Sequence, residues 1–86
     1  MLNSNSQEML QYLANEYKNR GGKDVVYNFD NNDKQNFEKN QEYKFHLEEL
    51  EASGYINVNK EPYMTGEYWM IEVTPKAYMY LKDQQK

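Results

Sequence analysis

The sequence predicts an α+β fold, with three to four helices and a small antiparallel sheet. Three observations predict it. Leu10, Leu13, Ala14 and Tyr17 form one apolar stripe at helical spacing within residues 6–20. A helix-compatible stretch ends at Gly54 and passes directly into a strand-like segment. Two such segments, Tyr55 to Asn59 and Tyr68 to Val73, flank a polar stretch containing Pro62 and Gly66, and the second runs into Thr74-Pro75.

Each element has its own signals. For the first helix, Asn5 with Glu8, or Ser4 with Gln7, forms a capping pair. Lys18 and Arg20 suit the last turn, and Gly21-Gly22 stops it. Val25 to Phe29 has strand character and is closed by the polar turn Asp30-Asn31-Asn32-Asp33, which offers Asn32 or Asp33 as the next helix cap. Over residues 34–53 the apolar pattern breaks. Tyr43, Leu47 and Leu50 share a face with His46 at its edge, but Phe37 lies off that face and Phe45 nearly opposite it. The simplest reading is a short helix holding Phe37, a turn near Asn40 and a longer helix to Ser53, a helix-turn-helix arrangement. One straight helix with Phe37 and Phe45 facing elsewhere is the alternative. In the last strand Trp69, Ile71 and Val73 alternate onto one face. Thr74 is the expected N-cap of a closing helix, with Pro75 at its first position. Leu10, Leu13, Tyr17, Leu47, Leu50, Ile56, Trp69, Ile71, Val73 and Leu81 are the expected core.

Eighty-six residues suit a single domain spanning 1–86, with an ordered core over about 6–82 and frayed ends at Met1–Asn5 and Asp83–Lys86. Nine Tyr, three Phe and one Trp are too many rings for a disordered chain, and they let a small core bury much area. The absence of cysteine excludes disulfides and thiolate sites. The longest apolar run, Ala77 to Leu81, is too short for a membrane span. Met1-Leu2-Asn3-Ser4 shows no basic segment followed by an apolar one, so the expected location is the cytoplasm.

The residues Leu47, Leu50, Gly54, Tyr55, Ile56, Val73, Thr74, Pro75, Lys76 and Leu81 resemble the winged-helix superfamily of bacterial and phage regulators. Many such domains close with an apolar residue, Thr-Pro-Lys-Gly and an aromatic-Leu pair. Here Ala77 stands at the Gly position, and Tyr80-Leu81 fits the pair. The layout is also similar to the small YjcQ-type winged-helix proteins of Gram-positive bacteria and their phages. The resemblance covers residues 43–82 with motif content and 6–42 by element order alone. It implies a winged helix-turn-helix and a small DNA-binding regulator, phage- or mobile-element-encoded. By position it puts Gln41, Lys44, Phe45 and Glu48 in the groove and Lys60, Tyr63, Met64 and Thr65 on the wing.

The charge opposes that role. The chain carries a net charge of −4, whereas phosphate contacts call for a basic excess. Over residues 33–53, Lys34, Lys39 and Lys44 face Asp33, Glu38, Glu42, Glu48, Glu49 and Glu51, a net charge of −3. A homodimer would still present Lys39, Lys44 and Lys60 as a local patch. The rival reading is an acidic protein-interaction module that keeps the fold, meeting its partner through Glu38, Phe45, Glu49, Tyr63 and Met64. A continuous positive stripe joining Lys39, Lys44 and Lys60 favours DNA; a negative helix face beside exposed rings favours a protein. The closing segment Ala77-Tyr78-Met79-Tyr80-Leu81 is apolar all round, so it needs a second surface, either the first helix or a second copy of the chain.

No catalytic, cofactor or metal site is expected. Glu42, His46 and Glu49 share a helix flank at i−4 and i+3, but the simpler reading is a half-buried histidine between solvated carboxylates. Asp30 to Asp33 fails as a calcium loop, with Lys34, Gln35 and Gln41 at its fifth, sixth and twelfth positions. One histidine and no cysteine assemble no nucleophile with an oriented base.

Overall fold

A computed structural model describes residues 3–84. The order is α1 (Ser4–Asn19), β1 (Val25–Asp30), α2 (Phe37–Ala52), β2 (Ile56–Tyr63), β3 (Gly66–Val73) and α3 (Pro75–Gln84). The predicted α+β class, with three helices and one antiparallel sheet, is what the chain forms. The strands lie in the order β1-β3-β2, and β3 pairs with both neighbours. Strand side chains alternate between a face packed on the helices and a face open to solvent, where Val26 and Tyr68 are exposed.

The helix α1 starts earlier than the capping pairs suggest. Its cap is Asn3, whose Oδ1 accepts the Ser6 amide at 2.9 Å. The extra turn brings Ser6 into the core, where its hydroxyl meets His46. Asn3 to Asn5 and Asp83 lie in helices or caps; Met1, Leu2, Gln85 and Lys86, also expected to fray, lie outside the described residues.

Residues 37–52 form one helix, so the expected turn near Asn40 is absent. The chain bends earlier. The Asn32 amide donates to Asp30 Oδ1 at 2.8 Å, and Asn36 donates to the Asp33 carboxylate. The helix cap is Asn36 rather than Asn32 or Asp33, because Asp33 is occupied in closing that turn. The broken apolar pattern has a plain cause: Phe37 and Phe45 are 55% and 62% exposed on the outer side of one continuous helix.

At its C-terminus α2 closes with paired bonds, Gly54 N–H to Glu51 O at 3.0 Å and Tyr55 N–H to Leu50 O at 3.1 Å. Gly54 supplies the left-handed backbone this needs, at φ +82°. Thr74 does not cap its own helix with its side chain. Its hydroxyl faces the Gly54 and Tyr55 carbonyls at 2.8 and 3.0 Å, and Lys76 Nζ donates to Ser53 O at 2.8 Å. The Thr-Pro-Lys sequence thus serves the end of α2, where orphan carbonyls and the helix dipole favour donors and cations.

The connection between β2 and β3 is tighter than a loop over 60–67. The strands run to Tyr63 and from Gly66, leaving a two-residue turn of Met64 and Thr65. Pro62 is tolerated because β2 is an edge strand. A side chain at Gly66 would meet the Phe29 carbonyl at 1.9 Å, so close pairing with β1 requires glycine there.

Nine of the ten expected core residues are buried, and Tyr17 packs half-buried against them. Ala14, Val25, Phe29 and Ala77 complete the core. The closing helix finds its second surface largely within the chain. The Tyr78 hydroxyl donates to Ala14 O at 3.1 Å, and the Tyr80 ring stacks on Tyr55 at 4.9 Å, while Met79 stays 70% exposed. No helix among the described residues is long and apolar enough to cross a membrane.

Candidate functional site

Most of the candidate side chains named by the sequence lie on α2, so its geometry decides what they can do. Leu47 and Leu50 seat the helix on the sheet and leave two flanks and an outer face. Lys39 and Lys44, five residues apart, stand about 140° apart around the axis and fall on opposite flanks.

On the flank beside β3, Lys44 and Lys60 close over Trp69. Lys60 Nζ lies 4.2 Å from the Trp69 ring centre and 3.7 Å from Glu48. Lys44 Nζ lies 5.1 Å from the Phe29 ring centre and 3.4 Å from Glu67, with its side chain largely covered. Phe29 meets Trp69 edge-on at 5.2 Å. Each ammonium has a ring face and a carboxylate, so neither presents an unneutralised charge. Next to them, Glu51 accepts the Val58 amide at 3.1 Å and covers part of the free edge of β2.

On the other flank, α1, β1 and α2 bound a groove of about 500 Å³ lined by Tyr12, Tyr27, Tyr43, Glu8, Glu42 and His46, among others. Tyr27 and Tyr43 lie 6.5 Å apart, and Lys39 Nζ stands 5.7 Å from the Tyr43 ring centre. Burial, with Tyr12, Tyr43 and Glu16 nearby, pushes the Tyr27 hydroxyl up to about 12. His46 forms the inner wall. Its Nδ1 lies 3.0 Å from Ser6 Oγ, and its Nε2 is 3.6 Å from Glu42. The direction of the Ser6–Nδ1 hydrogen bond is set by the imidazole tautomer, and the buried Nε2 makes no hydrogen bond among the described residues. Ser6 is fully buried, so this Ser-His-Glu line offers no nucleophile to a substrate. Among the described residues no three metal-ligating side chains come together.

The outer face of α2 carries Glu38, Gln41, Phe45 and Glu48, with the half-buried Glu49 beside them. The hairpin residues separate from this face. Tyr63 folds onto the outer face of the sheet, where its ring packs on Tyr68 at 4.5 Å and its hydroxyl donates to Asn28 Oδ1. Thr65 is half-buried, and its carbonyl accepts the Asn31 amide at 2.6 Å. Met64 is fully exposed at the tip.

Of the residues the resemblance assigns to DNA, Gln41 and Phe45 face outward together, while Lys39, Lys44 and Lys60 form no continuous stripe. The Tyr groove and the Ser6–His46 bond had no sequence signal, since the groove draws on three separate elements and the bond joins residues 40 positions apart. The placement of Lys60 on the helix side of β2 had one, because Ile56, Val58 and Lys60 alternate in phase, although Lys60 itself stays exposed. No family model, curated protein or solved structure matches the chain.

Proposed function

We propose that this chain is a non-enzymatic binding module of winged-helix type whose α2 outer face docks a basic protein surface. The observation that carries the reading is the neutralisation of Lys44 and Lys60 within the fold by Glu67 and Glu48. What remains on the outer face of α2 is carboxylate together with two exposed rings, Phe37 and Phe45, with Lys39 set apart on the Tyr43 flank. An acidic surface speeds encounter with a basic one, and exposed rings supply the apolar anchors that hold it.

The winged-helix reading is supported by the element order, by β3 lying between β1 and β2, and by the helix that leads directly into the hairpin. That same order supports DNA as the second reading, in which Lys39, Gln41, Lys44, Phe45, Lys60, Tyr63 and Thr65 form the contact set.

The test sets the two against each other. A labelled amphipathic peptide rich in Lys and Leu should bind at low salt, and the double variant Glu38→Lys, Glu49→Lys should lose that binding. An AT-rich duplex should show no mobility shift at about 50 mM salt, where phosphate contacts are strong. A duplex shift that Lys44→Ala and Lys60→Ala each weaken, with no peptide binding, would establish the DNA reading instead. Self-association through Met79 and Tyr78 is a further arrangement of the same module. Sedimentation of the chain and of Met79→Lys reads it directly, and equal monomer masses exclude it.

A further inference from the structure

We propose that the groove between α1 and α2 accepts the ammonium group of a lysine side chain carried by the partner protein. The chemistry of the groove points to that ligand. Tyr12, Tyr27 and Tyr43 line it, and Glu8 and Glu42 stand among them. Ring faces and carboxylates together attract a cation, and the aromatic part does so without demanding directional hydrogen bonds.

A second observation comes from the chain's own lysine. Lys39 Nζ lies over the Tyr43 ring at 5.7 Å, and no carboxylate pairs with it among the described residues. A primary ammonium is thus already placed at the groove, held by a ring face alone. It sits near the outer limit of such contacts, so a better-centred ammonium has room to improve on it. The inner wall is His46, held on one side by the Ser6 hydroxyl, with the exposed Glu42 carboxylate 3.6 Å from its Nε2 beside the opening. The proposal rests on the protein-partner reading only for where the lysine comes from. Recognition of the ammonium itself is a property of the domain alone.

The experiment is a titration of the full chain with a capped Gly-Lys-Gly peptide, followed through the ring resonances of Tyr12, Tyr27 and Tyr43. The control peptide replaces lysine with norleucine, which keeps the alkyl stem and removes the charge. Millimolar lysine peptide should shift all three rings, and the norleucine peptide should not. Tyr12 is exposed, so Tyr12→Leu keeps the fold; it should weaken binding roughly fivefold. Lys39→Ala, also at an exposed position, should strengthen binding because it removes the resident competitor. Equal shifts with the norleucine peptide, no shifts with either peptide, or weaker binding by Lys39→Ala would each overturn the proposal. The double variant Glu38→Lys, Glu49→Lys separates the two readings. It should abolish docking of the amphipathic peptide on α2 and leave the lysine-dependent ring shifts in place.

Discussion

On the Trp69 flank of α2, two lysines lie on ring faces and each meets a carboxylate from another element. On the Tyr43 flank, one lysine stands over a ring at the mouth of an open groove with no such partner among the described residues. The residue types are the same, and the difference lies in the strands. β3 delivers Glu67 to the first flank, and β2 brings Lys60 against Glu48 there. Beside the second flank, β1 brings Tyr27, which has no charge to offer at neutral pH. The first flank balances two lysines with two carboxylates, the second sets Lys39 against Glu8 and Glu42, and strand register decides which lysines are paired.

Three experiments break or sharpen that contrast. The largest effect is expected from Leu47→Ala, which empties a fully buried site beneath both flanks. It should cost about 2–5 kcal/mol in chemical denaturation, a large share of the stability of so small a domain. Both flanks should be lost together, since each depends on α2 being seated.

A smaller effect belongs to the open flank alone. The Tyr27 hydroxyl is raised from 10.0 to about 12 in the folded chain, chiefly by burial. The unfolded chain therefore releases this proton first. The contribution to stability is complete below pH 10 and is lost as pH rises through about 12. Denaturation midpoints measured across that window should fall with rising pH, and Tyr27→Phe should flatten the fall. The effect stays below that of Leu47→Ala because the ring is only half-buried and solvent screens it.

The smallest effect belongs to the closed flank. A double-mutant cycle on Lys60→Ala and Glu48→Ala should give a coupling of about 0.2–1 kcal/mol, as expected for a partly exposed pair. Added salt should reduce it. A coupling of zero would mean that Lys60 is held by the Trp69 ring alone.

Much of the fold was legible because its signals are local. Leu47, Leu50 and Gly54 mark the end of α2, the alternation of Trp69, Ile71 and Val73 marks β3, and Gly21-Gly22 marks the end of α1. Two local readings differ from the structure, each for its own reason. Phe37 lies off the Leu47–Leu50 face, which favours a turn near Asn40, but outward rings on one continuous helix satisfy the same pattern. The stretch after Asn59 read as a loop because Pro62 is a poor strand residue, and only an edge position excuses it. The site was less legible than the fold. The partners of Lys44 and Lys60 are set by cross-strand register, and the walls of the groove come from three elements far apart in the chain. Thr74 and Lys76 were recognised as a motif, but their role at the end of α2 appears only once α3 is placed.

The strand order has a consequence for how the chain comes into being. During synthesis β1 emerges before α2, yet among the described residues its one strand partner is β3, with Val25 opposite Ile71. Between those two moments the ribosome delivers all of α2 and β2, and β2 also awaits β3. Neither outer strand can satisfy its backbone in a sheet until the central one is made. The nascent chain therefore carries β1 unpaired while all of α2 and β2 are made, β2 waits only for the strand that follows its two-residue turn, and the sheet closes when β3 arrives.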